Sequence, residues 1–186
     1  MSRLDAVLAG IDAANARDPN LDAARPAALV YGERMSAELA RLCPDASEML
    51  RIAARGQHVE RWTLPRTAYP AGREGYLAWR REQARRHAQR VGEIMAGAGY
   101  GPDEVARVGV LLRKEGIKRD AEVQALEDVI CMVFLRWYFA PFAAGRDDEE
   151  VLRIVEKTAR KMSAAARARA LAEFDLPGPL AAAMRP

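Results

Sequence analysis

The stretch ALEDVICMVFLRWYFA at 125–140 is the part of the sequence that decides the fold. After Asp128, its only charged residue is Arg136. At about 100° per residue, apolar side chains such as Ile130 and Leu135 fall on opposite faces of a helix. A helix that is apolar on all sides is buried. We therefore predict a buried helix here, in the interior of a helical protein.

Helix start and stop signals recur along the rest of the chain. Residues that can cap a helix precede periodic apolar segments, and proline or glycine follows many of these segments. The predicted helices cover 3–16, 26–42, a segment that begins with a cap at Asp45 and ends near Gly56, 74–98, 102–114, 120–139, a segment from 147 onward, and a last helix that Ser163 caps and that ends before Pro177. No alternating run is long enough to predict a strand. The expected fold class is all-α, without a substantial β-sheet.

Length and charge limit what the protein can be. Its 186 residues fit one domain better than two, because each of two halves would have a thin core. We therefore expect 1–186 to form a single compact multi-helix domain. The net charge of +3 is too small to mark a dedicated nucleic-acid binder. Cys43 and Cys131 lie far apart and form no CxxC motif, so neither a zinc knuckle nor a disulfide framework is predicted.

The sequence also predicts a location. No apolar stretch reaches the roughly 20 residues that cross a bilayer. Asp5 and Asp12 interrupt the segment that would have to be the apolar core of a signal peptide. We expect a cytoplasmic protein that has no membrane partner.

Two adjacent carboxylates begin the most apolar helix. Glu127 falls on the same stripe as Ile130, and Asp128 points toward the side that carries Leu135. A buried carboxylate costs several kcal/mol, on the order of 3–5, unless it is protonated, paired with a cation or bound to a metal. The pair could instead lie at the solvated end of the helix, or hold an arginine such as Arg61 or Arg113 in a purely architectural ion pair. Both alternatives stay open.

The chain has two histidines, and neither lies in an obviously polar run. His87 borders the apolar stripe of its predicted helix, and His58 lies where a helix runs into a long loop. Each alone is more often a hydrogen-bonded core residue than a ligand. Together with Asp128 and Glu127, they would form a nitrogen and oxygen set that suits a divalent ion such as zinc, manganese, iron or magnesium. No short spacing motif accompanies this set.

Arginines and aromatic residues are concentrated in the predicted loop 56–75 and the helix that follows it. Arginine binds phosphate with two parallel hydrogen bonds, and aromatic rings stack on bases. The candidate substrate-binding residues are Arg61, Arg66, Tyr69, Arg73 and Arg80. For Arg85, Arg86 and Arg90 we favour a solvated helix face instead. Lys114 either ends its helix with a favourable charge or reaches a substrate phosphate.

Several short sequence segments resemble a known family. The chain is similar to the uncharacterised-domain family numbered 4202 in four segments: HVERW at 58–62, PRTAYPAGREGYLAWR at 65–80, QALEDVICMVFLRWYF at 124–139 and EKTARKMS at 156–163. The resemblance covers about 50–175 and implies an all-α fold, with no settled activity.

A more distant similarity is to the HD superfamily of metal-dependent phosphohydrolases. His58 resembles the first metal ligand of that superfamily, and Asp128 resembles the last. The chain departs from the pattern because it has no consecutive His-Asp pair, and His87 is followed by Ala88. The resemblance implies a metal held by His58, His87 and Asp128, whose bound water attacks a phosphate ester.

Two functional hypotheses follow. The first is a divergent HD-like hydrolase of a phosphorylated small molecule or nucleotide, with Glu127, Asp128 and Lys114 as catalytic candidates. The second is a non-catalytic helical module that binds RNA, a nucleotide or an acidic protein through its basic surface. Measured metal content and salt-dependent RNA binding distinguish them.

Overall fold

The computed structural model describes residues 2–185, and its architecture is all-α. The helices are α1 (Arg3–Asn15), α2 (Ala27–Leu42), α3 (Glu48–Arg55), α4 (Gly72–Gly97), α5 (Pro102–Arg113), α6 (Ala121–Val133), α7 (Phe139–Ala143), α8 (Asp148–Lys161), α9 (Ala164–Glu173) and α10 (Gly178–Met184). Two short strands, β1 (Leu21–Asp22) and β2 (Arg25–Pro26), pair in antiparallel fashion. The predicted fold class is confirmed. Within 2–185, no helix combines the length and the apolar character needed to cross a membrane.

The chain divides into two compact units, the first ending at Glu115 and the second beginning at Gly116. The first unit contains α1–α5 and the small sheet, and the second contains α6–α10. Fully buried apolar side chains occur in both units, for example Met35 and Leu111 in the first and Leu126 in the second. The prediction of a single domain stays a prediction.

In the first unit, the predicted long loop between α3 and α4 is confirmed, and it contains two turns of 3₁₀ helix, Arg61–Thr63 and Arg66–Ala68. Hydrogen bonds fix this loop on α4. The indole nitrogen of Trp79 donates to the carbonyl of Leu64 at 3.0 Å, and the amide of Gln83 donates to the same carbonyl at 2.9 Å. The loop is therefore held in place by buried polar contacts.

Gly75 allows the loop to lie close to α4. A Cβ atom on Gly75 would lie 2.0 Å from the carbonyl oxygen of Pro70, a separation that no side chain tolerates. Glycine is thus required where the loop turns back along the helix. The consequence is that residues of the loop and residues of α4 line the same region.

In the second unit, α6 is buried as predicted, with Val123, Leu126, Val129 and Met132 fully inaccessible. The prediction of one helix that runs to Phe139 and stops at Pro141 is wrong. After α6, the five residues Phe134–Tyr138 form a π-helix, and α7 includes Pro141. Pro141 is the third residue of α7, which follows the π-helix without a break in the helical backbone.

Two other helix boundaries differ from the sequence-based expectation. The cap of α3 is Ser47, whose hydroxyl accepts from the Leu50 amide at 3.1 Å, rather than Asp45. The chain also forms α10 after Pro177, where the sequence predicted no helix. Pro179 occupies the start of α10, so this proline begins a helix instead of preventing one.

Candidate functional site

The two histidines lie side by side within the first unit. His87 is on α4, and His58 is in the turn after α3. Their ring centroids are 6.2 Å apart, and the rings are tilted by 42°. The His58 ring also stacks on Tyr31 of α2, at a centroid distance of 3.8 Å and an angle of 15°. His87 is buried, and His58 is partly exposed.

The hydrogen bond of His87 fixes its tautomer. Nδ1 of His87 lies 2.8 Å from the carbonyl oxygen of Val59, and a carbonyl can only accept, so Nδ1 carries the proton and donates. Nε2 then carries a lone pair. Nε2 is buried and has no hydrogen-bond partner among residues 2–185. His87 is 3% exposed, and the site thus contains a buried acceptor that the described protein groups do not satisfy.

Both imidazoles are held in the neutral form. Burial, and then the charge of Arg61, lower the pKa of His87 to about 4, although the bond to Val59 acts in the opposite direction. Burial also lowers the pKa of His58 well below its usual value, followed by the charges of Arg61, His87, Lys114 and Arg80. Part of His58 remains exposed, but its ring is covered by Tyr31.

Arg61 is a half-buried cation without a carboxylate partner. Its guanidinium carbon lies 4.6 Å from the centroid of the Trp79 ring. No carboxylate in the described part of the chain lies within ion-pair distance of Arg61. Burial lowers the pKa of Arg61, and Arg80 also lowers it, while the phenols of Tyr31 and Tyr76 raise it. A desolvated charge is normally paired, so Arg61 is the strongest candidate in this unit for contact with an anion.

Two further cations lie near the histidines. Arg80 is exposed, and its Nη1 donates to the Tyr76 hydroxyl at 3.3 Å. Lys114 ends α5 in the left-handed conformation, with φ 58°, which costs a non-glycine residue roughly 1 kcal/mol. Its charge is close enough to lower the pKa of His58. We call the set formed by Tyr31, His58, Arg61, Arg80, His87 and Lys114 the His–Arg cluster.

The other substrate-binding candidates lie outside this cluster. The guanidinium of Arg66 donates to the carbonyls of Tyr69 at 2.9 Å, Pro70 at 2.8 Å and Gly72 at 3.4 Å. These bonds hold the loop, so Arg66 has a structural task. Tyr69 is half-buried in the same loop, and Arg73 is exposed in the first turn of α4. The structure therefore brings together His58, Arg61, Arg80, His87 and Lys114 from the predicted set.

The arginines on the other face of α4 are paired with carboxylates, as the sequence interpretation favoured. Arg85 and Arg86 contact Glu82 at 2.7 and 3.0 Å, and Arg90 contacts Glu60 at 3.2 Å. Hydrogen bonds from Arg85 and then from Arg86 lower the pKa of Glu82 to about 2. Open clefts of about 280 and 500 Å³ border α4, but they are lined by residues outside the His–Arg cluster.

The acidic pair is buried, as predicted, in the second unit. Glu127 is 2% exposed and Asp128 is 9% exposed. Oδ1 of Asp128 accepts from the Gln124 amide at 3.0 Å and from the backbone N–H of Ser163 at 2.8 Å. Oε1 of Glu127 lies 3.6 Å from Nζ of Lys161.

These contacts favour the architectural alternative for the acidic pair. Asp128 fixes the residue that caps α9, because Ser163 is the N-cap of that helix. Lys161, a cation that lies near Glu127, belongs to the same unit. Of the arginines that the sequence suggested, Arg113 pairs with Glu115 at 2.6 Å.

The metal set predicted from His58, His87 and Asp128 draws on both units. Among residues 2–185, no group of three or more His, Cys, Asp and Glu side chains is arranged to hold a metal ion. The first unit contributes two neutral imidazoles, and the second contributes the carboxylate. The three-residue metal site stays a prediction.

Sequence reasoning missed Tyr31 and the carbonyl of Val59. Tyr31 lies in a helix that carries no recognisable motif, and its stacking on His58 depends on how α2 packs beside the turn after α3. A backbone carbonyl leaves no trace in the residue types. Trp79 did stand out, because it lies within the arginine-rich segment.

The fold and the cluster define an all-α protein whose first unit surrounds two neutral imidazoles with cationic side chains. The chain belongs to the family described as Domain of unknown function (DUF4202), whose model matches residues 5–184. This match extends beyond the region 50–175 that the sequence words suggested. No curated protein and no solved structure matches the chain.

Proposed function

We propose that the first unit binds a phosphorylated small molecule or nucleotide at the His–Arg cluster. The observation that carries the proposal is the half-buried guanidinium of Arg61, which has no carboxylate partner in the described part of the chain. A guanidinium binds phosphate through two parallel, charge-assisted hydrogen bonds. A bound phosphate supplies the counter-charge that the protein groups around Arg61 do not.

The charge balance of the cluster supports an anionic ligand. Arg61, Arg80 and Lys114 are cationic at neutral pH, whereas the low pKa values of His58 and His87 keep both imidazoles neutral. No carboxylate is among the groups that shift the pKa values of His58, His87 or Arg61. Like charges that lie close together repel, and a bound anion turns this repulsion into attraction.

The nearby aromatic residues support a ligand that is larger than phosphate alone. Trp79 is 8% exposed and its face is already covered by Arg61, so it is not available for stacking. Tyr76 is 42% exposed and lies beside Arg80. An exposed tyrosine next to a phosphate-binding arginine suits a nucleobase or a sugar.

RNA and acidic proteins are weaker candidates for the partner. The arginines that made α4 resemble an extended basic surface, Arg85, Arg86 and Arg90, are paired with carboxylates. Nucleic-acid binding depends on cations that exchange small counterions for phosphates, and paired cations contribute little to this exchange. A compact phosphorylated ligand therefore fits the described surface better.

Hydrolysis by a bound metal, as in HD-like proteins, is our second candidate function. The specific observation in its favour is Nε2 of His87, since a buried neutral imidazole nitrogen without a partner is a metal donor. His58 would supply a second nitrogen, and the bound ion would polarise a phosphoryl oxygen. The cations Arg61, Arg80 and Lys114 oppose a divalent ion at this place, so we rank metal binding below anion binding.

The binding proposal is tested by calorimetric titration of AMP and of inorganic phosphate into wild-type protein and two variants. Arg61→Gln removes the proposed contact, and a lost charge-assisted hydrogen bond is expected to weaken binding by about 10- to 100-fold. Arg85→Gln is the control, because it removes one positive charge from a paired position on the same surface. Equal affinities in all three proteins, or no binding of either compound to the wild type, would refute the proposal.

The metal candidate is tested separately. Protein purified without chelator is analysed for metal content, and its melting temperature is measured before and after addition of manganese or zinc. Stoichiometric metal that is lost in His87→Asn supports the second candidate. Metal-free protein whose melting temperature does not respond to these ions counts against it.

A further inference from the structure

We propose that His87 makes the site specific for phosphate over sulfate, because Nε2 of His87 accepts a hydrogen bond from a P–OH group of the ligand. This inference rests on the proposed binding of a phosphorylated ligand at the His–Arg cluster. The inference specifies that the bound ligand is protonated and that His87 is the residue that recognises this proton.

The two ring nitrogens of His87 have different roles in hydrogen bonding. Its Nδ1–H is committed to the Val59 carbonyl, so Nε2 can act only as an acceptor in the neutral ring. The ring is 3% exposed, and Nε2 has no partner in the described residues. A buried acceptor left without a donor costs about 1–3 kcal/mol, so a ligand that brings a donor is favoured.

Phosphate and sulfate, which are both tetrahedral anions, differ in whether they carry a proton. A phosphate monoester carries one proton on oxygen below its second pKa of about 6, and inorganic phosphate keeps at least one P–OH group even as its dianion. Sulfate carries no proton at these pH values and presents only acceptor oxygens. Its oxygen would face the lone pair of Nε2, which repels it, whereas a P–OH group donates to the same nitrogen.

The other groups of the His–Arg cluster come from several elements of the first unit. Tyr31 comes from α2, His58 from the turn after α3, Arg61 from the loop, Arg80 from α4 and Lys114 from α5. Tyrosine, lysine and arginine ordinarily titrate only above about pH 9, and the low pKa values of both histidines keep them neutral above about pH 6. The ligand is therefore the group that changes its charge between about pH 6 and pH 9.

A pH signature follows from this assignment. The bound complex keeps one proton between the phosphate oxygen and Nε2. Above the second pKa of a monoester, which leaves it without a P–OH group, binding must take up this proton, so the affinity falls by about tenfold per pH unit. A site made of arginine and lysine alone prefers the dianion, and its affinity for a monoester rises as the ligand loses its proton.

The experiment is a set of calorimetric titrations of inorganic phosphate, sodium sulfate and AMP into the wild-type protein in the presence of EDTA, which removes divalent ions. We expect phosphate to bind at least about tenfold more tightly than sulfate at pH 6, and the affinity for AMP, a monoester, to fall toward pH 9. Equal binding of phosphate and sulfate, or AMP binding that strengthens with pH, overturns the inference but leaves the proposed function standing. Failure of all three compounds to bind at any pH overturns both.

A variant pair assigns the effect to His87. His87→Asn can keep a donor near the Val59 carbonyl and removes the acceptor at Nε2, so we expect the preference for phosphate over sulfate to disappear. His87→Gln retains an acceptor oxygen at the end of a longer side chain, and we expect part of the preference to return. If either variant fails to fold by circular dichroism, the wild-type pH profile for AMP decides, because it distinguishes a protonated from a dianionic monoester without any substitution.

Discussion

Replacing Arg61 by methionine should stabilise the free protein while it removes ligand binding. Methionine keeps an unbranched apolar side chain beside Trp79 and removes a partly desolvated charge near Arg80. Replacing a buried ion pair by apolar groups of similar size stabilises many proteins by about 1–4 kcal/mol, and a desolvated charge without a partner lacks even the attraction within such a pair. The lost cation–π contact costs about 0.5–1 kcal/mol. The net expectation is a gain of between about 0 and 3.5 kcal/mol, taken from the difference of these two ranges.

The assay is urea unfolding followed by circular dichroism, without ligand, for the wild type, Arg61→Met and Arg66→Met. Arg66 is the matched comparison because it lies in the same loop but donates to three backbone carbonyls. Its loss should cost about 0.5–1.5 kcal/mol, since carbonyls that are partly buried or exposed lose their donor. Destabilisation of Arg61→Met to the same extent as Arg66→Met would show that Arg61 is a structural residue, and the reasoning from its missing partner would be refuted.

Three further predictions concern stability. The pKa of His87 falls from 6.5 to about 4 on folding, so the unfolded chain binds the extra proton, and stability should decrease by up to about 3 kcal/mol as the pH falls from 6.5 to 4. Urea unfolding at several pH values measures this slope, and an unchanged slope in His87→Asn would contradict the assignment. Asp128→Ala should cost about 1–3 kcal/mol, because the Ser163 amide loses its acceptor, and thermal melts should show the loss without any change in phosphate affinity. Gly75→Ala should release the loop from α4, because the alanine Cβ would lie 2.0 Å from the Pro70 carbonyl oxygen. Limited proteolysis detects this release as faster cleavage within 61–71. Resistance to cleavage equal to that of the wild type would exclude the clash.

Local signals in the sequence predicted much of the fold. Ser2, Asp120, Asp147 and Ser163 each cap a helix through a side-chain oxygen, and each is recognisable from residue type and spacing alone. The π-helix at Phe134–Tyr138 was not predictable in this way, because its extra residue per turn depends on packing. Pro141 and Pro179 were interpreted as signals that end a helix, whereas each lies within the first residues of one.

The site was predictable only in part. The apolar face of α4 predicted that His87 points inward, but its distance to His58 depends on how the loop returns across that helix. The burial of Glu127 and Asp128 followed from the apolar run after them. The residues that contact them, Lys161 and Ser163, lie 34 and 35 residues further along the chain. Contacts at such separations are set by tertiary packing, which periodicity does not report.

The measurement that tests the central claim most directly is a titration of inorganic phosphate followed by the indole N–H resonances of the tryptophans in a ¹H–¹⁵N NMR spectrum. Trp79 reports on Arg61, which covers its ring, and Trp137 in the second unit is an internal control. The account predicts a saturable shift of the Trp79 resonance that is absent in Arg61→Gln, with little change at Trp137. An unchanged Trp79 resonance at saturating phosphate, or equal shifts of both resonances, would contradict it.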